Sequence, residues 1–354
     1  MTTPAATLPP VVRLNGGRPI VQRVPDHPWE NCVTFNPACT LVTDANALAS
    51  IIPSLPFDQE TTRRLLLQKA LCFLLYRAQG EKTPEQDHTR SSIGLAVLSP
   101  DLKLLARHSA PVLLPENEYE NLGVEDGRIT KVGDRYYMFY CAYASHPDGN
   151  RIRLAVASTQ NFVRWEKHGL LNGEFNTLHN KNSMLFEGKI DGDFVLLHRP
   201  MEGEHAMAIH WATSKDVLGP WKSKGLLMAP KANPAFKDTW IGGGAPPLRL
   251  PDGRYLVIYH IGNRKHDGTR EYDLGIAVAD FSKPEIIVKR VEPLLRPETP
   301  AETQGDAALG VNNVVFICGA DFYEGDLYFP YAGADSVVLG GMIKGKDLQQ
   351  FLNA

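Results

Sequence analysis

The chain has 354 residues, 43% of them hydrophobic and 22% charged, with a net charge of −3. That balance suits a globular protein with a large core and excludes a basic field able to hold nucleic acid or an anionic membrane. The five cysteines are odd in number and never fall in a CxxC spacing, which excludes a cysteine zinc site and points to a reducing, cytoplasmic setting.

The opening stretch, MTTPAATLPP, lacks the basic and apolar blocks of a leader, and no apolar run reaches the ~20 residues needed to cross a bilayer. Residues 1–30 read as a loose N-terminal arm and 31–354 as one catalytic domain. Between 44 and 70, DANALASIIPSLPFDQETTRRLLLQKA carries two helical stretches split by Pro53 and Pro56. This insertion is expected to make an oligomer contact or to wall a binding site.

From there the chain repeats itself. LCFLLYRA (71–78), RYYMFYCAYA (135–144), GDFVLLHRP (192–200), GRYLVIYHIG (253–262) and GDLYFPYAGAD (325–335) align on Tyr76, Tyr140, His198, Tyr259 and Tyr331, which stand 64, 58, 61 and 72 residues apart. Four of these follow a glycine-containing turn, the hairpin chemistry where positive φ is needed. A second, small-residue strand comes next, as in SSIGLAVL (91–98) and YDLGIAVAD (272–280), and then a charged stretch running into Leu-Leu, as in RHSAPVLLP (107–115). Each unit reads as an antiparallel sheet of about four strands. One such sheet cannot bury both faces, so the expected fold is all-β: a five-bladed β-propeller with the helical insertion and a short C-terminal helix over KDLQQFL (346–352). A β-sandwich is the competing arrangement.

In a ring of such units, polar residues at equivalent strand ends meet at the mouth of an axial channel. Arg77, His198, Arg199 and His260 stand at those ends, Arg153 and Tyr272 open the following strands, and Lys181 in HNKNSMLFEGKI (179–190) adds a charge. Each alone reads equally as a strand residue satisfied by a neighbouring carbonyl. Together they make a cationic cup for a small oxyanion, a carboxylated sugar or a bridging acid of the protein itself. The glycine-rich stretches WIGGGAPPLRL (240–250) and ALGVNNVVFICGAD (308–321) lack the pattern of a phosphate loop, although Asn312 and Asn313 are placed to bond hydroxyls.

GVEDGRIT (123–130) holds the remaining chemistry. On spacing alone Glu125 and Asp126 read as turn acids pairing with Arg128 as readily as catalytic groups. Asp126 lies just ahead of the second unit's strand and is the candidate for proton transfer, with Arg128 able to depress or orient its carboxyl. Glycosidases commonly use two carboxylates, whereas a phosphorylase needs one because phosphate is the nucleophile. A single acid and a cationic cup therefore fit each other. Glu125, Glu187 and Asp335 are the other acids available as a second carboxylate.

Taken in order, these stretches resemble glycoside hydrolase family 130, the β-mannoside phosphorylases and related mannosidases built on a five-bladed β-propeller. The matching stretches are LLYRA, GVEDGRIT where the family usually has GVEDPRIT, RIRLAVAS, NKNSMLFEGKI where NKDAVLFPEKI is usual, LLHRP, GGGAPPL, YHIG, YDLG and NNVVFICGA. The resemblance implies a glycosyltransferase-type phosphorylase: inverting phosphorolysis of a β-mannosidic bond to α-mannose 1-phosphate, reversible as chain synthesis, with β-1,2 linkages preferred over β-1,4. It implies Asp126 as proton donor acting through a sugar hydroxyl, Arg153, Arg199, His260, Tyr272 and Lys181 as phosphate ligands, and Asn36 and Arg77 as contacts of the mannosyl unit or phosphate. Glu125, Asn313 and Asp335 are further substrate-binding candidates. Inorganic phosphate is the implied co-substrate, with no metal or other cofactor, and the implied partners are a β-linked manno-oligosaccharide and phosphate, with a homo-oligomer compatible. Gly127, Asn182, Gly188 and Asn312 depart from the family's usual residues, and the sequence offers no physical reason for Gly127. A hydrolase of the same family and a non-catalytic glycan-binding propeller are the alternative readings.

Overall fold

Strands form where the repeat places them. The computed structural model describes residues 8–82, 89–177 and 179–353, so the first seven residues of the expected arm lie outside the described residues. Aromatic and β-branched runs give Leu71–Gln79, Arg135–Ala144, Phe194–Pro200, Tyr255–Arg264 and Asp326–Gly333, each the second strand of an antiparallel unit. The hairpin turns before them need the left-handed backbone that glycine adopts freely, as at Gly133 (φ 63°) and Gly325 (φ 87°).

The five units, I to V, have first strands Val33–Val42, Gly123–Val132, Asn180–Leu185, Asp238–Gly243 and Val315–Ile317. Their third strands are Ser91–Leu98, Arg151–Thr159, Ile209–Ser214, Arg270–Ala279 and Val337–Ile343. Leu104–Arg107, Glu166–Leu170, Lys222–Met228 and Ile287–Leu295 complete units I to IV. Unit V is completed from the other end of the chain: Val12–Arg13 pairs antiparallel with Val337–Ile343, Val12 opposite Met342. The arm expected to be loose thus supplies a strand. The sheets are open, and a single parallel bridge between Ser91 and Gly123 joins units I and II.

First strands touch their neighbours. That of unit I contacts those of units II and V, that of unit III contacts those of units II and IV, and that of unit V also packs on the second and third strands of unit IV. The core lies between units, with Leu75 and Met138 between I and II, Met184 and Val257 between III and IV, and Ile276 and Phe329 between IV and V, all at most 1% exposed. Full burial of each such side chain contributes about 1.5–3 kcal/mol.

The repeated tyrosine has a structural task in four of the units. Its buried hydroxyl donates to a glutamate: Tyr76 to Glu30 (2.9 Å), Tyr140 to Glu120 (2.7 Å), Tyr259 to Glu292 (2.7 Å) and Tyr331 to Glu302 (2.8 Å). A cation on the outer strand, Arg107, Lys167, Arg290 or Arg13 respectively, pairs with the same glutamate. The small residues of the third strands make room for the ring. A Cβ on Gly94 or Gly275 would lie 2.3 Å from Cζ of Tyr76 or Tyr259. Unit III carries His198 instead, and its Nδ1 lies 3.0 Å from Nδ2 and 3.2 Å from Oδ1 of the Asn180 side chain.

The insertion folds as expected into helices Ala45–Ile51 and Gln59–Leu66, capped by Asp44 and Asp58, whose carboxylates accept from Ala47 N and Thr61 N at 2.7 Å. Leu48, Ile51, Ile52, Leu55 and Leu65 seat it on the core of units I and II, and Leu66 and Leu67 stay exposed. The C-terminal helix, Gly345–Asn353, buries Leu348 and Phe351 against units IV and V.

Candidate active site

The first strands build the site together with the second. In units I, II and III the pairing with the second strand shifts register between Phe35 and Ala38, between Glu125 and Arg128, and between Lys181 and Met184. Within each bulge one residue adopts the left-handed backbone: Asn36 (φ 45°), Asp126 (φ 52°) and Asn182 (φ 58°). Asn and Asp tolerate that conformation better than other non-glycine residues, and the bulge re-aims their side chains out of the ladder. All three line one cavity of about 130 Å³, together with Arg77, Lys181, Arg199, His260, Tyr272, Val314, Phe316 and Asp335.

Asp126 is held by two side-chain hydrogen bonds. Its Oδ1 accepts from Asn36 Nδ2 at 2.7 Å and from Arg77 Nη1 at 3.1 Å. Arg77 is itself fixed by Glu125 Oε1 at 2.7 Å from Nη2 and by Ser91 Oγ at 2.9 Å from Nε. Burial alone would raise the Asp126 carboxyl, but Arg77, Lys181 and Arg128 hold it well below the usual carboxylate range. Arg128 exerts this field without touching the carboxylate. Its buried guanidinium donates to the carbonyls of Asp126 (2.6 Å), Gly243 (3.0 Å) and Gly244 (3.1 Å), tying the bulge to unit IV. Gly127 also acquires a reason: a Cβ there would lie 2.6 Å from Sδ of the buried Met138.

Arg199 is buried, 6% exposed, with Nη1 3.1 Å from His260 Nε2 and Nε without a partner. Burial, with Arg199 beside it, holds the His260 imidazole far below its usual value, so it is neutral and accepts at Nε2. Among the described residues neither Arg199 nor Lys181 forms an ion pair. Asp335 (φ 46°) faces the same space, and burial pushes its carboxyl up to about 7, Arg77 and Lys181 opposing and Asp126 and Glu125 adding.

Asp126, Asn36, Arg77, Lys181, Arg199, His260, Tyr272 and Asp335 therefore meet as the sequence suggests. Five candidates do not line the cavity: Glu125, Asn313, Arg153, His198 and Glu187. Glu125 stands behind Arg77. Asn313 (φ 59°) ties unit V to unit IV, its carbonyl accepting from Tyr272 N at 2.9 Å. Arg153, half-buried, sits opposite Ala142 near the start of unit II's third strand. His198 is absent from the cup because neighbouring strand residues face opposite ways: with Arg199 turned in, His198 stacks on Phe175 at 4.1 Å, and burial holds its imidazole down at about 3. Asn182 and Phe316 escaped the sequence reading, though an Asn just ahead of an apolar run was a usable signal for the bulge. Glu187 lies in a second cavity with Asp44, Lys131 and Asp321, formed at the far ends of the first strands. The insertion begins at Asp44, so it lies away from Asp126 and does not wall the site.

The sequence model of the family described as beta-1,4-mannooligosaccharide phosphorylase matches residues 65–353. The chain belongs to glycoside hydrolase family 130. This family 130 protein is 31% identical over 335 residues to the beta-1,2-mannobiose phosphorylase of Thermoanaerobacter sp. (strain X514) and 28% identical over 335 residues to the 1,2-beta-oligomannan phosphorylase of the same strain. Both alignments cover 94% of this chain and 97% of the relative. In fold it is similar to the Listeria innocua beta-1,2-mannobiose phosphorylase in complex with beta-1,2-mannobiose, with a TM-score of 0.73 and 21% identity over 97% of this chain and 99% of that one. A family 130 structure described with glycoside hydrolases that target beta-1,2 mannosidic linkages in Candida mannan gives a TM-score of 0.75 and 24% identity, over 98% of this chain and 96% of that one. Family 130 phosphorylases are grouped with glycoside hydrolases, which corrects the expected glycosyltransferase-type label. They use phosphate as co-substrate without a cofactor. Among the described residues no three His, Cys, Asp or Glu side chains are grouped to hold a metal, and no helix is long and apolar enough to cross a membrane.

Proposed function

We propose that this chain is a β-mannoside phosphorylase, moving a mannosyl unit from a β-linked manno-oligosaccharide to inorganic phosphate and releasing α-mannose 1-phosphate. The observation that carries the reading is Arg199: a buried guanidinium that among the described residues has no carboxylate partner and an orphaned Nε, in one cavity with Asp126. An uncompensated buried charge costs several kcal/mol, which a phosphate dianion offsets with charge-assisted bonds to Arg199 and Lys181. The neutral His260 and the Tyr272 hydroxyl extend that set. Asn36, Arg77 and Asp335 are assigned to the mannosyl unit, and Glu125 to holding Arg77.

The dianion has a second effect. Its charge opposes the cations that keep Asp126 ionised, so the carboxyl gains the proton it must deliver. A phosphate oxygen then bonds to the anomeric carbon as the glycosidic C–O bond breaks on the opposite face, giving inversion. The proton passes from Asp126 to the leaving oxygen, through a sugar hydroxyl as the resemblance implies, and in synthesis Asp126 takes it back.

For linkage, β-1,2 is favoured by three relatives named for β-1,2-mannosides against one named for β-1,4-mannooligosaccharides. The proposed scaffold is a single five-bladed propeller domain over 31–354 that takes in the strand Val12–Arg13 as well, supported by five units whose first strands pack on their neighbouring units in order and share a cavity at each end. Five free thiols support a cytoplasmic setting. A second reading, hydrolysis, is favoured by one observation: Asp335 is another carboxylate in the same cavity. Incubation with β-1,2- and β-1,4-mannobiose, with and without phosphate, decides between them. Mannose 1-phosphate formed only with phosphate, and abolished in both directions by Asp126→Asn, upholds the phosphorylase; free mannose at the same rate without phosphate sinks it.

A further inference from the structure

A separate cavity of about 270 Å³ opens on the other face of the strands that carry His260 and Tyr272. Ile261 pairs with Asp273, each one residue past a group that lines the central cavity, and strand alternation turns these two the opposite way. Asp273 is only 4% exposed and, among the described residues, its Oδ1 has no hydrogen-bond partner; its one ion pair is with the exposed Arg296, whose Nε stands 3.6 Å from Oδ2. A carboxylate oxygen buried this deeply without a donor forgoes the hydrogen bonds it had in water, a penalty that a bound donor would remove. It faces a space large enough for a ligand that can donate to it.

The lining defines that ligand. Asp273 and Glu292 are balanced by Lys231 and Arg296, so no net charge favours an anion such as phosphate or a metal cation. Asn263, its Oδ1 already accepting from Thr239 Oγ1 at 3.0 Å, lines the cavity with a side-chain amide able to donate, and the half-buried Phe236 supplies an apolar ring on the loop side. Donors, acceptors and a flat apolar face in a neutral pocket match a pyranose, whose hydroxyls both give and take hydrogen bonds while its C–H face packs on an aromatic ring. The geometry points to a second saccharide site here, centred on Asp273 and Phe236, that takes a neutral glycosyl unit of an oligosaccharide outside the central cavity. Burial, with Glu271 adding, pushes the Asp273 carboxyl up to about 7, so it serves as donor or acceptor at neutral pH. The choice of a mannosyl probe rests on the function proposed above; the pocket itself does not.

Calorimetric titration of the Asp126→Asn protein with β-1,2-mannotriose, without phosphate, tests this free of turnover under either catalytic reading. Two binding steps are expected, one of them weakened at least tenfold by adding Asp273→Asn and again by adding Phe236→Ala, as losing a charge-assisted bond or the packing face requires. Phe236 lies on a connecting loop, so its variant stands if Asp273→Asn does not fold. A single step that depends on Asp273 and Phe236 would uphold this site and sink the central one. Binding that neither substitution weakens overturns the inference.

Discussion

Adding one methyl group at Gly127 should disturb both the stability of this protein and its chemistry. In Gly127→Ala the new Cβ would meet Met138 Sδ at 2.6 Å, Cγ at 2.9 Å and Cε at 3.3 Å, all inside the roughly 3.5–4.0 Å at which such atoms rest. Met138 is 0% exposed on the second strand of unit II and has no solvent to swing into, so the bulge must move. Overpacking of this kind costs about 1–3 kcal/mol. Because the shift begins at the residue after Asp126, it also misplaces a carboxylate held at 2.7 Å from Asn36 and 3.1 Å from Arg77. We expect Gly127→Ala to lose about 1–3 kcal/mol in urea denaturation and at least about tenfold in kcat, with the KM for phosphate little changed because Lys181 and Arg199 belong to unit III. Met138→Ala alone opens a cavity at about 2–5 kcal/mol, but in its presence alanine at 127 should cost almost nothing. The double-mutant cycle should therefore return a favourable coupling of about 1–3 kcal/mol. Coupling within about 0.5 kcal/mol of zero would refute the account of Gly127, and with it the expectation that a proline there, carrying the same Cβ, meets the same sulfur.

Arg199→Ala should raise the KM for phosphate at least about tenfold while barely changing that for the oligosaccharide, in initial-rate kinetics with each substrate varied; an equal rise in both would misplace the anion. Asp335 has a folded value near 7 against an ordinary value near 3.8, so the native state binds its proton more tightly than the unfolded chain does. The stability this confers is full below about pH 4 and is lost as pH rises through 7. Asp335→Asn should therefore gain on the wild type between pH 4 and 8, by at most about 4 kcal/mol at the upper end, and a difference that is flat with pH in urea titrations would contradict this. Arg13→Ala leaves the wholly buried Glu302 without its cation and should cost about 3 kcal/mol in denaturation, whereas Lys103→Ala, from an exposed pair with Asp101, should cost under about 1. Equal losses would show that the outer-strand cation is merely superficial.

Much of the architecture was legible because the second and third strands announce themselves. Glycine turns and aromatic runs fix Arg135–Ala144 and Tyr255–Arg264, and capping acids with prolines fix the two helices of the insertion. The site was harder because the strands that build it are irregular: FNPACTL, GVEDGRI and NKNSMLF break the apolar alternation where the bulges fall. Asn36, Asp126 and Asn182 share a backbone conformation that no apolar periodicity reports, so their equivalence emerged only in three dimensions. His198 shows the opposite case. Its neighbour Arg199 faces the cavity, and strand alternation alone forbids both from doing so, a constraint available from sequence. The arm was misjudged because two residues form a strand only when a partner some 330 positions away offers an edge, a pairing that no local signal carries.

That pairing orders events during synthesis. Val12 and Arg13 leave the ribosome long before their partners Met342 and Gly341 and the glutamate that Arg13 clasps, Glu302. Units I to IV can each assemble from chain already emerged, while the outer edge of Val337–Ile343 stays an unpaired template until the arm returns to it. A strand translated well before the rest of its sheet is thus the last to join it, and a tether that holds residue 12 away from residue 342 would leave Val337–Ile343 without its outer partner.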